Sequence, residues 1–254
     1  NIFVRLYGSI ESAEPVMTWS PRTLLEDCAL KPVVLRDGEL VEVDPFSGEE
    51  PYVFPVQRIG TKRVWNHLHE EVFMFQRSFS SKGLKNSDLK MGGIDQIKCL
   101  YELGLLSTER VVVGGRHVVP LEVVASLLPK PPLQSELQAK IKSGLVRGST
   151  GCEVVVVEGE KSGETLKHVL WVSDPDIKSV VHSYPMATDD SYVVGLSGSI
   201  MACFLAEKRI RNPGVYTPEE LPRTIRTEYL KELAKLRPPI EFQEKVTELE
   251  IART

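Results

Sequence analysis

Apolar residues recur along this chain in short runs separated by turn residues, with longer helical stripes only in places. Residues 33–43 form two runs around Asp37-Gly38. Both turn residues tolerate the positive φ that a two-residue hairpin turn needs, so the segment predicts a β-hairpin. Residues 111–119 repeat the pattern around Gly114-Gly115. Strands are also predicted at 52–55 and 62–68, and at 152–157 and 166–173 around a loop at 159–163. The unbroken run Val154 to Val157 suggests a strand buried on both faces.

Helices announce themselves by caps and period. Ser20 before Pro21 reads as an N-cap with proline at the first helical position, and Leu24-Leu25 as the buried stripe. Ile97, Leu100, Tyr101, Leu103 and Leu105 recur near the 3.6 period within 95–106. Pro120 opens a helix that Pro129 ends, and 133–143 is amphipathic and stops at Gly144. An apolar helix is predicted over 197–210, a capping box at Thr217 to Glu220, and a charged helix over 223–236, with a polar tail after Pro238-Pro239. Hairpins cluster in the middle and helices at the end. The fold class is therefore α+β, a mixed or antiparallel sheet covered by helices. We divide it into an α+β domain, residues 1–185, and a helical segment, residues 186–254.

Composition adds exclusions. Of 254 residues, 42% are hydrophobic and 26% charged, which is globular usage. Lys plus Arg is 31 against 35 Asp plus Glu, a net −4, which argues against a nucleic-acid partner. No apolar stretch is long enough to span a membrane, and the start lacks the zones of a signal peptide. Beginning at Asn1 reads as a trimmed product or a fragment. Cys28, Cys99, Cys152 and Cys203 are scattered. They read as reduced, mostly buried thiols of a cytoplasmic protein, and they lack the close pairing of a structural zinc site.

No glycine-rich phosphate turn, nucleophile elbow or paired-histidine zinc motif is present. His67-Leu68-His69 would put two imidazoles on one strand face beside Glu70-Glu71. That pattern fits a polar strand edge, a general acid/base, or a metal site. His117, His168 and His182 are isolated. Trp19, in Thr18-Trp19-Ser20-Pro21, either anchors a loop or lines a pocket. Lys90 precedes Gly92-Gly93, where backbone can approach a ligand closely. Its ammonium either meets solvent or holds a carboxylate.

In order along the chain, several segments resemble the saccharopine dehydrogenase and lysine 6-dehydrogenase family. They are Thr18 to Glu26, the Arg36-Asp37-Gly38 hairpin, Leu89 to Gly93, Leu103 to Ser107, Val119-Pro120 with Leu127 to Pro129, and Ser197 through Glu220. The resemblance covers nearly the whole chain. It implies a substrate-binding α+β half that dimerises through its sheet. Closing helices would pack on a nucleotide-binding (Rossmann) half, which holds NAD or NADP and which this chain lacks. It further implies an amino-acid substrate contacted by Thr18, Trp19 and Lys90. Lys90 stands where the family has an arginine, and lysine cannot clamp a carboxylate with two parallel bonds. The family's paired glycine appears as Tyr7-Gly8, and its threonine-glycine as Ser197-Gly198. The expected chemistry is hydride transfer at the C–N bond of a lysine-like substrate. A non-catalytic binding or dimerisation module is the second reading, and a metal hydrolase on His67 and His69 the third.

Overall fold

Asp37 and Gly38 hold φ of 49° and 90°, and Gly114 and Gly115 hold 56° and 76°. Both predicted hairpins therefore close on two-residue turns. They lie in a computed structural model that describes residues 1–248. The strands are β1 (Ile2–Ser12), β2 (Val33–Arg36), β3 (Glu39–Glu42), β4 (Glu50–Val53), β5 (Thr61–Asn66), β6 (Ser87–Gly92), β7 (Val111–Val113), β8 (Arg116–Val118), β9 (Val146–Lys161), β10 (Glu164–Ser173) and β11 (Phe242–Glu248). The helices are α1 (Pro21–Ala29), α2 (Glu71–Phe79), α3 (Asp95–Glu102), α4 (Pro120–Leu127), α5 (Gln134–Lys142), α6 (Ile177–Ser183), α7 (Asp189–Ala206) and α8 (Arg223–Lys235).

The main sheet runs β11-β10-β9-β1-β6-β2-β3, with β4 and β5 joining it through β6. The β1–β6 pair is parallel and the β1–β9 pair antiparallel, so the sheet is mixed, as the α+β expectation has it. Ile2, Val4 and Leu89 meet Val72, Phe75 and Phe79 of α2 on one face. Cys152, Val154 and Val156 meet Phe54 and Ile59 on the other. Helices α1, α3 and α4 enclose Trp65, Phe46 and Leu106 in a second core. Helices α6, α7 and α8 surround Tyr192 and Leu233 in a third. Ser20 caps α1, its hydroxyl accepting the Thr23 N–H at 3.2 Å.

Several expectations are corrected. The loop at 159–163 shrinks to Ser162-Gly163, whose φ of 56° and 84° turns the chain directly from β9 into β10. Strand β5 stops at Asn66, so His67 and His69 do not share a strand face. Helix α7 begins at Asp189, capped by Thr188, eight residues before the predicted start. The capping box at Thr217 to Glu220 forms as expected, with Pro218 at its first position, and closes a single 3-10 turn. The polar tail contains β11, an exposed edge strand on β10. Of the four free cysteines, Cys28 and Cys152 are buried while Cys99 and Cys203 are exposed. Large exposed apolar side chains lie on β7 (Val111, Val112, Val113) and α7 (Val194, Leu205), and on the main sheet's own strands β3 (Leu40) and β11 (Phe242, Val246). Among the described residues no helix is long and apolar enough to cross a membrane.

Candidate active site

The parallel ladder of β1 and β6 ends at Tyr7 opposite Gly92, whereas β1 stays paired with β9 to Ser12. From Gly8 onward one edge of β1 therefore has no strand beside it, and a cavity of about 170 Å³ occupies that place. Gly93 makes it possible. Its φ is 83°, and a Cβ there would stand 2.4 Å from the Gly8 carbonyl oxygen. Any side chain would both strain the backbone and close the gap.

Thr18 and Trp19 line this cavity together with Met91 and Ile94. Trp19 is 38% exposed, so its ring is a rim and not a buried anchor. The remaining wall is acidic. Asp174 follows β10, and Asp189 and Asp190 open α7, all three facing the cavity. Gly151 lets Asp174 lie against β9, because a Cβ there would fall 1.8 Å from Asp174 Oδ2. The Thr18 hydroxyl donates to Asp190 Oδ2. Asp174 Oδ1 and Asp189 Oδ1 are buried without a hydrogen-bond partner.

Burial, then the charges of Glu153, Asp190 and Asp189, push the Asp174 carboxyl up to about 7. Burial pushes Asp189 up to about 6 against the opposing pull of the Ser149 hydroxyl. At neutral pH Asp174 is thus poised to give or take a proton, the condition for a general acid or base. Such a wall suits a cation and repels the diphosphate of a dinucleotide.

Lys90 does not join Thr18 and Trp19. It alternates with Met91 along β6, so it faces the opposite side of the sheet. There its Nζ donates to Glu50 Oε2 at 2.7 Å, and Asp88 lies at 3.8 Å. Arg5, its register partner on β1, donates to Glu50 Oε1 at 2.6 Å. Burial raises the Glu50 carboxyl, but the bonds and charges of Lys90 and Arg5 outweigh it and hold Glu50 below its ordinary value. Lys90 is 8% exposed and already paired, so the expected carboxylate contact beside Trp19 is not formed.

The histidines also separate. Burial, with the nearby charge of His69, drives His67 down to about 4, so it is neutral at physiological pH. His69 shares a hydrogen bond with Glu71, which raises its value. Ligand atoms of His69, Glu70 and Glu71 lie within 4.8 Å of one another, but they are neighbours in sequence at the surface. Neither histidine lines the acidic cavity.

The three aspartates escaped the sequence reading. Two signals pointed to them: Asp174-Pro175-Asp176 at a strand end, and Thr188-Asp189-Asp190 as a helix cap with acidic first turn.

Comparison with known proteins supplies the relationship. The saccharopine dehydrogenase C-terminal domain family matches residues 9–236. No curated protein matches. Among solved structures, apo histidine-tagged saccharopine dehydrogenase (L-Glu forming) from Saccharomyces cerevisiae is similar, with a TM-score of 0.62 and 15% identity. The alignment covers 97% of this chain and 66% of that one, so this chain spans just under two thirds of its length. At that identity the likeness concerns the fold. The family match covers most of the sequence in its own right, and the chain belongs to the saccharopine dehydrogenase C-terminal domain family, a family of oxidoreductase domains.

Proposed function

We propose that this chain is the substrate-binding part of an NAD(P)-dependent oxidoreductase of the saccharopine/lysine dehydrogenase type, acting on the C–N bond of a lysine-like amino acid. The observation that carries this reading is the carboxylate-walled cavity under Trp19. An ammonium entering it meets Asp189 and Asp190, while Met91 and Ile94 receive methylenes. Hydride can leave a carbon only when its nitrogen has a free electron pair. Asp174, near neutrality, accepts the ammonium proton and supplies that state. The rim indole of Trp19 limits water access and offers its face to the cation. A bound nicotinamide would supply the hydride acceptor. None of the cavity residues suits the cofactor's diphosphate, so we assign that to a separate nucleotide-binding half. The free thiols are consistent with a cytoplasmic setting.

A second reading, a non-catalytic binding or dimerisation module of the same family, draws on Lys90, whose ammonium is committed to Glu50. Hydride transfer separates the two. The chain supplied with a nucleotide-binding half should reduce NAD or NADP when lysine or an amine analogue is added. Asp174→Asn should lower the rate tenfold or more. No reduction with any amine would leave the non-catalytic reading.

A further inference from the structure

The β7–β8 hairpin stands apart from the main sheet. Every residue from Val111 to His117 is exposed, and the first three are valines. A two-stranded ribbon bare on both faces is marginal in water until something covers it. The register pairs Val111 with Val118 and Val113 with Arg116. One face therefore carries valines and ends in a cation near the turn. Arg116 forms no ion pair among the described residues.

Beside the base of the hairpin lies a groove of about 710 Å³, enclosed by α1, the end of α3 and the start of α4. It shares no lining residue with the cavity under Trp19. Leu106 and Leu121 form its floor, and Leu30, 51% exposed, one wall. Glu26, Asp27 and Glu109 line it, and among the described residues no basic one does. From outside the groove Arg22 takes up Glu26, and the charge of His69 reaches Asp27. Glu109 is left with no ion pair among the described residues.

We infer that the hairpin of one copy lies in this groove of a second copy, and that the exchange is reciprocal. Valines cover the leucines, and the Arg116 guanidinium meets the Glu109 carboxylate. Two features select a second copy as the occupant. Groove and hairpin adjoin on one molecule, because Glu109 stands two positions before β7 begins. A single two-fold axis beside them thus brings both contacts together. Glu109 also precedes Val113, the register partner of Arg116, by four positions. That is a reach of about 13 Å along a strand. Two such hairpins laid antiparallel set each tip on the other's base, with opposite charges facing. Held by its two-residue turn, the hairpin cannot fold back onto its own base.

Sedimentation of the full chain over a range of concentrations tests the exchange. Leu30→Lys spoils the groove and Val113→Lys the hairpin. Both positions are exposed, so an unchanged far-ultraviolet circular dichroism spectrum is expected of each variant. Each should weaken the dimer about tenfold or more. Mixed in equal amounts, the two should associate more tightly than either alone, because their heterodimer keeps one intact hairpin in one intact groove. Glu109→Arg and Arg116→Glu should each weaken the dimer, and the two together in one chain should restore it. A chain that stays monomeric overturns the inference. So does a dimer that Val113→Lys weakens and Leu30→Lys does not, the mark of hairpins paired edge to edge. A dimer indifferent to both variants puts the interface elsewhere and overturns it too. Failure of the mixture to recover overturns the reciprocal exchange.

Discussion

Lys90 and Met91 are adjacent in sequence and face opposite sides of the sheet, Met91 toward the cavity and Lys90 toward Glu50. Replacing Lys90 by Met keeps the stem but leaves the partly buried Glu50 with Arg5 alone. We expect a loss of about 1–3 kcal/mol in urea unfolding, more than an exposed pair would give. Amine binding in the cavity should be unchanged. The aspartates should respond to pH. The Asp174 carboxyl rises from 3.8 to about 7 on folding, so between those values the folded state keeps a proton that the unfolded state releases. Its contribution is complete below about pH 4 and is lost as pH rises toward 7. Asp174→Asn removes that loss. At pH 8 it should raise the melting temperature by about 2–4 °C for each kcal/mol gained, with little change at pH 4. Thr18 and Trp19 were legible because a proline-capped turn is a local signal. The partner of Lys90 lies forty positions away at Glu50 and leaves no mark near Lys90 itself.

The junction between β6 and α3 positions the cavity through two glycines. Gly93→Ala places a Cβ against the Gly8 carbonyl at positive φ, whereas Gly114→Ala in the β7–β8 turn meets nothing within 4 Å. The Gly114 change should therefore cost about 1–2 kcal/mol, the left-handed penalty alone. The Gly93 change should cost more and should also abolish amine binding; equal costs in chemical denaturation would refute this account of the junction. Both hairpins were readable because Asp37-Gly38 and Gly114-Gly115 impose their turns. Helix α2 was not, because Glu70 makes no side-chain cap and Phe73, Phe75 and Phe79 favour strands as readily. Strand β11 was hidden for another reason. All seven of its residues are exposed, so it carries no hydrophobic alternation and is recruited by the edge of β10.

Across the whole molecule, the exposed valines of β7 and the apolar side of α7 are the surfaces that favour self-association. We expect a homodimer, and light scattering should return twice the 28.4 kDa chain mass. A chain that stays monomeric at every accessible concentration would contradict it, and Val112→Lys should weaken a dimer built on the hairpin. The mixed sheet was anticipated in class but not in order, since strand neighbours are a long-range matter that turns do not encode. That order has a consequence for synthesis. Among the described strands β1 is made before the others, yet it lies between β6 and β9 and cannot be flanked on both sides until β9 has emerged. At the usual pace of translation, roughly 5–20 residues per second, that delay is on the order of ten to thirty seconds. Throughout it, at least one edge of this apolar strand is open to any passing strand. The centre of the finished sheet is thus the most vulnerable part of the nascent chain, and a ribosome stalled before β9 would hold a segment that chaperones should recognise.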